Sequence, residues 1–163
     1  MADFPLTKTL LIIAALGSGI VGGTFFAFST FIMASLAETS TEGGVSAMNA
    51  INRVILRSWF MPVFIGTAIL AVILVIMAIR SWNLGAGSLI VTGAVLYILA
   101  SFVSTIIFNV PLNDRLATFD GKTAESATFW AVYLKDWTVW NHVRTVASLL
   151  ASAAFMWALA IAR

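Results

Sequence analysis

Long apolar runs alternate with short polar stretches along this chain, and the runs recur at membrane length. Residues 9–37, 59–79, 84–108 and 145–162 contain no charged side chain. A spanning helix needs about 20 apolar residues at 1.5 Å rise each. It also satisfies its own backbone where no water can do so, and no alternating strand pattern competes. The pattern therefore predicts four transmembrane helices. The first run continues past the length of a secretory signal, so it reads as a span, long enough to tilt or project. A tight link near Arg80-Ser81-Trp82-Asn83 makes the second and third spans an antiparallel pair. The two longer connections lie on the opposite side. In the first, residues 38–44 read as a polar loop and 45–58 as an amphipathic helix, with Pro62 placed to kink the span that follows. In the second, Pro111 is expected to stop the third helix, and Asn113 and Asp114 to cap a short helix over 114–119. After an Asp120-Gly121-Lys122 turn, residues 124–135 read as an interfacial helix, with Phe129, Trp130 and Tyr133 at headgroup depth. The expected fold is all-α: an integral membrane four-helix bundle, one domain over residues 1–163, with short interfacial helices in the first and third connections.

Composition agrees with a multi-pass membrane protein. Hydrophobic residues make up 61% of the chain and charged ones 10%, against roughly 25% charged in soluble domains. There is no cysteine, which excludes disulfides, thiolate metal sites and a cysteine nucleophile. A net charge of +2 is no nucleic-acid footprint. The short face with Lys8, Arg80 and Arg163 leads to the expectation that both termini are cytoplasmic, although the opposite face carries more basic residues, each matched by an acid.

Gly17-Ser18-Gly19-Ile20-Val21-Gly22 matches the dinucleotide fingerprint by letter, but that fingerprint needs a strand before it and a βαβ unit around it. Inside a span, small residues every fourth position serve close helix packing instead. The faces Gly19/Gly23 and Ser148/Ser152 suit either the monomer bundle or a homo-oligomer interface. Polar residues cluster beside the spans. At 100° per residue, Trp137, Asn141, Arg144 and Ser148 form one stripe, with Thr138, His142 and Thr145 beside it. His142, the only histidine, and Arg144 point about 160° apart, so they cannot both aim at one small atom, though they can flank a flat ligand. Asn49, Asn52, Arg53 and Phe60 form a similar stripe before the second span, on which the two asparagines, facing the same way as the arginine, read as inward hydrogen-bonders. The plainer readings are a membrane-surface anchor for the first stripe, a solvated face for the second, and simple capping for Asn113 and Asp114. A haem or metal at His142 is a minority alternative, because one histidine with scattered carboxylates is a poor ligand set.

Four motifs, taken in order, resemble the anthrone oxygenase family of small four-helix membrane proteins. They are Phe25-Phe26-Ala27-Phe28-Ser29, Ala47-Met48-Asn49-Ala50-Ile51-Asn52, Asn109-Val110-Pro111-Leu112-Asn113-Asp114 and Trp137-Thr138-Val139-Trp140-Asn141-His142-Val143-Arg144. The likeness runs from about residue 17 to 152, and the last two motifs are the specific ones. It implies an O₂-using monooxygenase that turns an anthrone into a quinone with no added cofactor. It also implies a site containing Asn52, Asn109, Asn113, Asp114, Trp137, Asn141, His142 and Arg144.

Such chemistry assigns expected roles. His142 is the residue suited unperturbed to act as a base near neutral pH, with Asp114 holding its tautomer or pairing with Arg144 or Arg53. Arg144, Asn141 and Asn52 donate to the developing oxyanion. Trp137, Trp140, Phe25 and Phe28 line an apolar slot for a flat substrate and O₂. The expected partners are thus a lipophilic small molecule, O₂ and the bilayer. Two other readings stay open: a membrane binding or accessory protein for a lipophilic ligand, quinone or haem, and a purely structural subunit.

Overall fold

The computed structural model describes residues 3–80 and 84–161. The four apolar runs form four helices long and apolar enough to cross a membrane: Pro5–Ala37, Phe60–Arg80, Gly85–Leu116 and Ala124–Ile161. In finer detail, α1 (Asp3–Ala27) continues through a π-helical turn, Phe28–Ile32, into α2 (Met33–Ala37). After α3 (Thr41–Ile55) and α4 (Phe60–Arg80) comes α5 (Leu84–Val95). It runs on through two π-helical segments, Leu96–Val103 and Thr105–Asn109, into α6 (Val110–Leu116), all one spanning helix, and α7 (Ala124–Ile161) completes the chain. No strand occurs among the described residues. α1 packs against α7 and α4, and α5 against the same two, which closes a ring of four. Residues 81–83 of the expected tight link lie outside the described residues.

Three boundaries differ from expectation, each for a local reason. Helix α3 begins at Thr41, earlier than the predicted loop allows, because Ser40 caps it by accepting the Gly43 N–H at 3.1 Å. Pro111 does not stop the third helix. It falls in the first turn of α6, at the junction with a π segment, and the helix runs on through it. Asn113 and Asp114 accordingly lie inside α6 rather than capping a helix at 114–119. The predicted interfacial helix at 124–135 is the first third of α7: no Gly or Pro interrupts the 38 residues that follow Thr123. At 1.5 Å per residue α7 is about 57 Å long, nearly twice the hydrocarbon thickness of about 30 Å. Its N-terminal part therefore stands out of the bilayer.

That projection creates a second core. One cluster of buried residues fills the bundle, including Leu11, Val21, Phe64, Leu74, Tyr97 and Phe155. Another lies outside it, where Met33, Val45, Met48 and Leu116 pack on Phe129, Trp130, Tyr133 and Trp137 of α7. Gly121, at φ 82°, lets the turn before α7 close against Glu42 of α3, where any Cβ would collide with backbone. The cap and bundle meet at the level of Phe28, Asn113 and Trp137.

The letter match to the dinucleotide fingerprint is a packing seam. A Cβ on Gly22 would lie 2.8 Å from Leu149 Cδ2 of α7, and Ser152 donates to the Ala15 carbonyl at 2.8 Å across the same crossing. Gly17 abuts Thr67 of α4. Ser148 reaches Ser101 of the third helix at 2.9 Å, so the Ser148/Ser152 face serves the bundle, whereas a Cβ on Gly23 would meet nothing within 4 Å. Gly22→Val is expected to destabilise the protein by about 1–3 kcal/mol through overpacking. Gly23→Val should have little effect. Thermal unfolding in one detergent checks both, and equal melting temperatures for the two variants would contradict this account of the seam.

Candidate functional site

Between the two cores lies a cavity of about 480 Å³, the size of a small-molecule site. Six rings stand among its aliphatic and polar walls: Phe25 and Phe28 from the first helix, Phe60 and Phe64 from α4, Phe102 from the third, and Trp137 from α7. The rings brace one another, with Phe60 stacked on Phe64 at 5.6 Å and Phe28 against Trp137 at 5.6 Å. The π-helical segments sit at this depth. They contain Phe28, Phe102 and Thr105, all cavity-lining. A π turn adds a residue to the helical turn and re-aims the side chains after it, which is why such turns gather at functional sites.

One cation faces this apolar chamber from within the protein. Arg144 lines the cavity and is only 3% exposed. Its guanidinium lies between two rings, 4.3 Å from the Phe25 centroid and 4.9 Å from that of Trp137. It donates to Asn141 Oδ1 at 2.8 Å and to Thr105 Oγ1 at 3.3 Å. Nε is buried without a partner. Among the described residues no carboxylate is paired with it; Lys122–Glu42, at 3.4 Å, is an ion pair on the surface. Burying a cation without a counter-charge is costly, so the site is poised for an anion or a developing negative charge.

Asn141 holds the cation in place. Fully buried, it donates from Nδ2 to the Phe25 carbonyl and to Ser29 Oγ, both at 2.7 Å. Ser29 pairs with Thr145 Oγ1 at 3.0 Å, and Thr145 returns a bond to the Asn141 carbonyl at 2.8 Å. This closed ring ties α7 to the first helix behind Arg144. Asn113 does the same on the cap side: its Oδ1 accepts from Tyr133 Oη at 2.7 Å and Trp137 Nε1 at 2.9 Å. Asn49 and Asn52 line the opposite wall, where Asn49 donates to the Leu116 carbonyl at 3.3 Å. Asn49 Oδ1 and Asn52 Nδ2 are buried without partners. Arg53 and Asp114, both exposed, stand at the rim.

The structure thus brings together Phe25, Phe28, Asn52, Arg53, Asn113, Asp114, Trp137 and Arg144 around the cavity, with Asn141 directly behind Arg144. Three expected site residues are elsewhere. His142 is exposed on the outer side of α7. The 160° of helical phase between it and Arg144 puts one outside when the other is inside, so the expected base does not reach the chamber, and a haem or metal on it would sit outside as well. Among the described residues no group of three His, Asp or Glu side chains is placed to hold a metal ion. Trp140 also faces outward, stacked on Phe108 with centroids 3.4 Å apart beside a surface groove. Asn109 is buried but turned to the backbone of α7, donating to the Trp137 carbonyl at 3.2 Å. Sequence reasoning missed Phe60, Phe64 and Phe102 as walls, though the i,i+4 spacing of the first two was a usable signal. Of the third-helix polar residues, Thr105 lines the chamber, while Tyr97 donates to the Phe64 carbonyl at 3.0 Å.

No curated protein and no solved structure matches the chain. The profile of a family does: anthrone oxygenase, over residues 53–154. That stretch begins near the end of α3 and runs through most of α7, taking in Asn113, Asp114, Trp137, Asn141 and Arg144. Since the match covers more than half of the chain, this protein belongs to the anthrone oxygenase family.

Proposed function

We propose that the protein is a membrane oxygenase that oxidises an acidic CH₂ in a lipophilic, flat aromatic ketone, such as an anthrone, to a quinone with O₂ and no added cofactor. The observation that carries this reading is the buried Arg144, lacking a carboxylate partner, at the wall of an aromatic chamber. An anthrone becomes an anion when it loses one CH₂ proton, and the charge resides largely on the carbonyl oxygen. Arg144 is the donor for that oxygen, fixed in advance by Asn141 and Thr105. The phenyl and indole walls hold the ring plane.

Asp114 is the proton acceptor we assign, as the carboxylate that lines the cavity. The carbanion then passes one electron to O₂, and the resulting radical and superoxide combine into a C–O bond. The peroxide takes up a proton. Loss of the remaining C–H proton with cleavage of the O–O bond gives the second carbonyl and water. The net reaction is R₂CH₂ + O₂ → R₂C=O + H₂O, with the substrate supplying both electrons that reduce the second oxygen atom.

The test is O₂ uptake by chelator-treated, purified protein given anthrone, against a protein-free blank that measures autoxidation. Uptake well above the blank is expected. His142→Ala is expected to retain it within about twofold, because the imidazole lies outside the chamber; a loss of tenfold or more would return His142 to the mechanism. Uptake equal to the blank would overturn the oxygenase reading for anthrone. Tight, Arg144-dependent binding without uptake would assign the cavity to a carrier of lipophilic anions instead.

A further inference from the structure

The cavity has a side that the reaction does not explain. Helix α4 and the third helix are pinned together by Tyr97, whose hydroxyl donates to the Phe64 carbonyl at 3.0 Å, and by the Phe64 and Phe102 rings, 5.1 Å apart. Towards the cap from that plug, Met61 of α4 and Ile106 and Val110 of the third helix line the chamber, with Ile65 of α4 beside the plug itself. Ile65 is 41% exposed and Ile106 53%, although both are cavity walls. Both side chains thus border the chamber and also carry exposed surface.

We propose that the cavity takes its ligand sideways from the bilayer, through this slot between α4 and the third helix, with Ile65 and Ile106 as its jambs and the residues that limit ligand thickness. Depth supports it. Ile65 lies six residues past the exposed Trp59, about 9 Å along the helix axis. A tryptophan at the membrane surface thus puts the slot within the hydrocarbon. Chemistry supports it too. The slot is aliphatic, whereas the rim nearest water carries Arg53 and Asp114. A flat aromatic ketone or phenol concentrates in the bilayer, slips edge-on between two isoleucines, and meets a charge only on reaching Arg144. The proposal rests on the cavity being the ligand site, but not on the oxidation assigned to it.

The chain has no cysteine, so a single one is a clean handle. Ile106→Cys, reconstituted in phosphatidylcholine vesicles, is capped with benzyl methanethiosulfonate and later uncapped with a reductant. The probe is 2-hydroxyanthraquinone, a stable flat phenol, and the readout is its initial rate of tryptophan quenching. Capping is expected to slow quenching at least tenfold, and uncapping to restore it. Capping Val139→Cys, on the outer side of α7, should leave the rate unchanged. An unchanged rate in capped Ile106→Cys overturns the proposal. So does slowing that appears only on capping Arg53→Cys at the aqueous rim, and so does failure of the uncapped protein to quench at all. Quenching through the slot by a protein that consumes no O₂ would leave the route standing and remove the oxygenase reading alone.

Discussion

Arg144→Met is expected to lower kcat/KM for anthrone-dependent O₂ uptake by about 10²–10³-fold, the usual loss when one preorganised oxyanion donor is removed. Stability should hold or rise. The guanidinium is buried between Phe25 and Trp137 with Nε unpartnered and no carboxylate beside it. An apolar chain of similar length there relieves desolvation, an exchange that has yielded about 1–4 kcal/mol in buried ion clusters elsewhere. Part of that gain is offset, because Asn141 Oδ1 loses its donor. Opposite signs for activity and stability mark a residue held against the fold's preference for the sake of a ligand. Arg144→Lys should fall between, since it keeps the charge but not the fork that spans Asn141 and Thr105. Turnover and thermal unfolding of the three proteins in one detergent decide it. Full activity in the Met variant would end Arg144's role. Gross unfolding of that variant would make Arg144 a structural residue.

Asp114→Asn is the second large effect expected: a fall in kcat of about 10²–10⁴-fold, the range for loss of a general base. KM should change little, because the amide keeps the shape and polarity of the side chain. Asp114 is exposed within α6 and supports no capping bond there, so the melting temperature should not move. This separates it from Asn113, one residue earlier, whose oxygen ties Tyr133 and Trp137 together. Turnover within twofold of the unaltered protein would remove the base assignment and leave proton abstraction to solvent or to the substrate anion itself.

Both variants touch residues that stand out in the sequence, yet the reasons for their importance differ in origin. The polar clusters beside the spans are visible because polar groups there are costly and therefore rare. Trp137, Asn141 and Arg144 fall on one stripe by helical phase alone, and the structure keeps them together. Their neighbour His142 is the more attractive residue chemically, as the lone imidazole. Chemistry is no guide to which way a helix is turned. Asn109 shows the same limit: it belongs to the motif with Asn113, yet, at the end of a π segment, it bonds to the backbone of α7. Nothing in the letters 96–109 announces a π-helix, since the same apolar residues suit an α-helix equally well.

Amino-acid order alone set the number of spans, the bilayer as solvent and the fact that His142 and Arg144 must face nearly opposite ways. Those follow from run length, transfer free energy and 100° per residue, all of them local. Which of the two faces inward was settled only when the chain packed. Ala147, Ser148, Ala151 and Ser152 form a buried seam on α7, on the side where Arg144 also lies. That seam docks on α1 and the third helix through Ser152 to Ala15 and Ser148 to Ser101. Close backbone approach at the seam fixes the rotation of α7, and that rotation carries Arg144 into the chamber and His142 out of it.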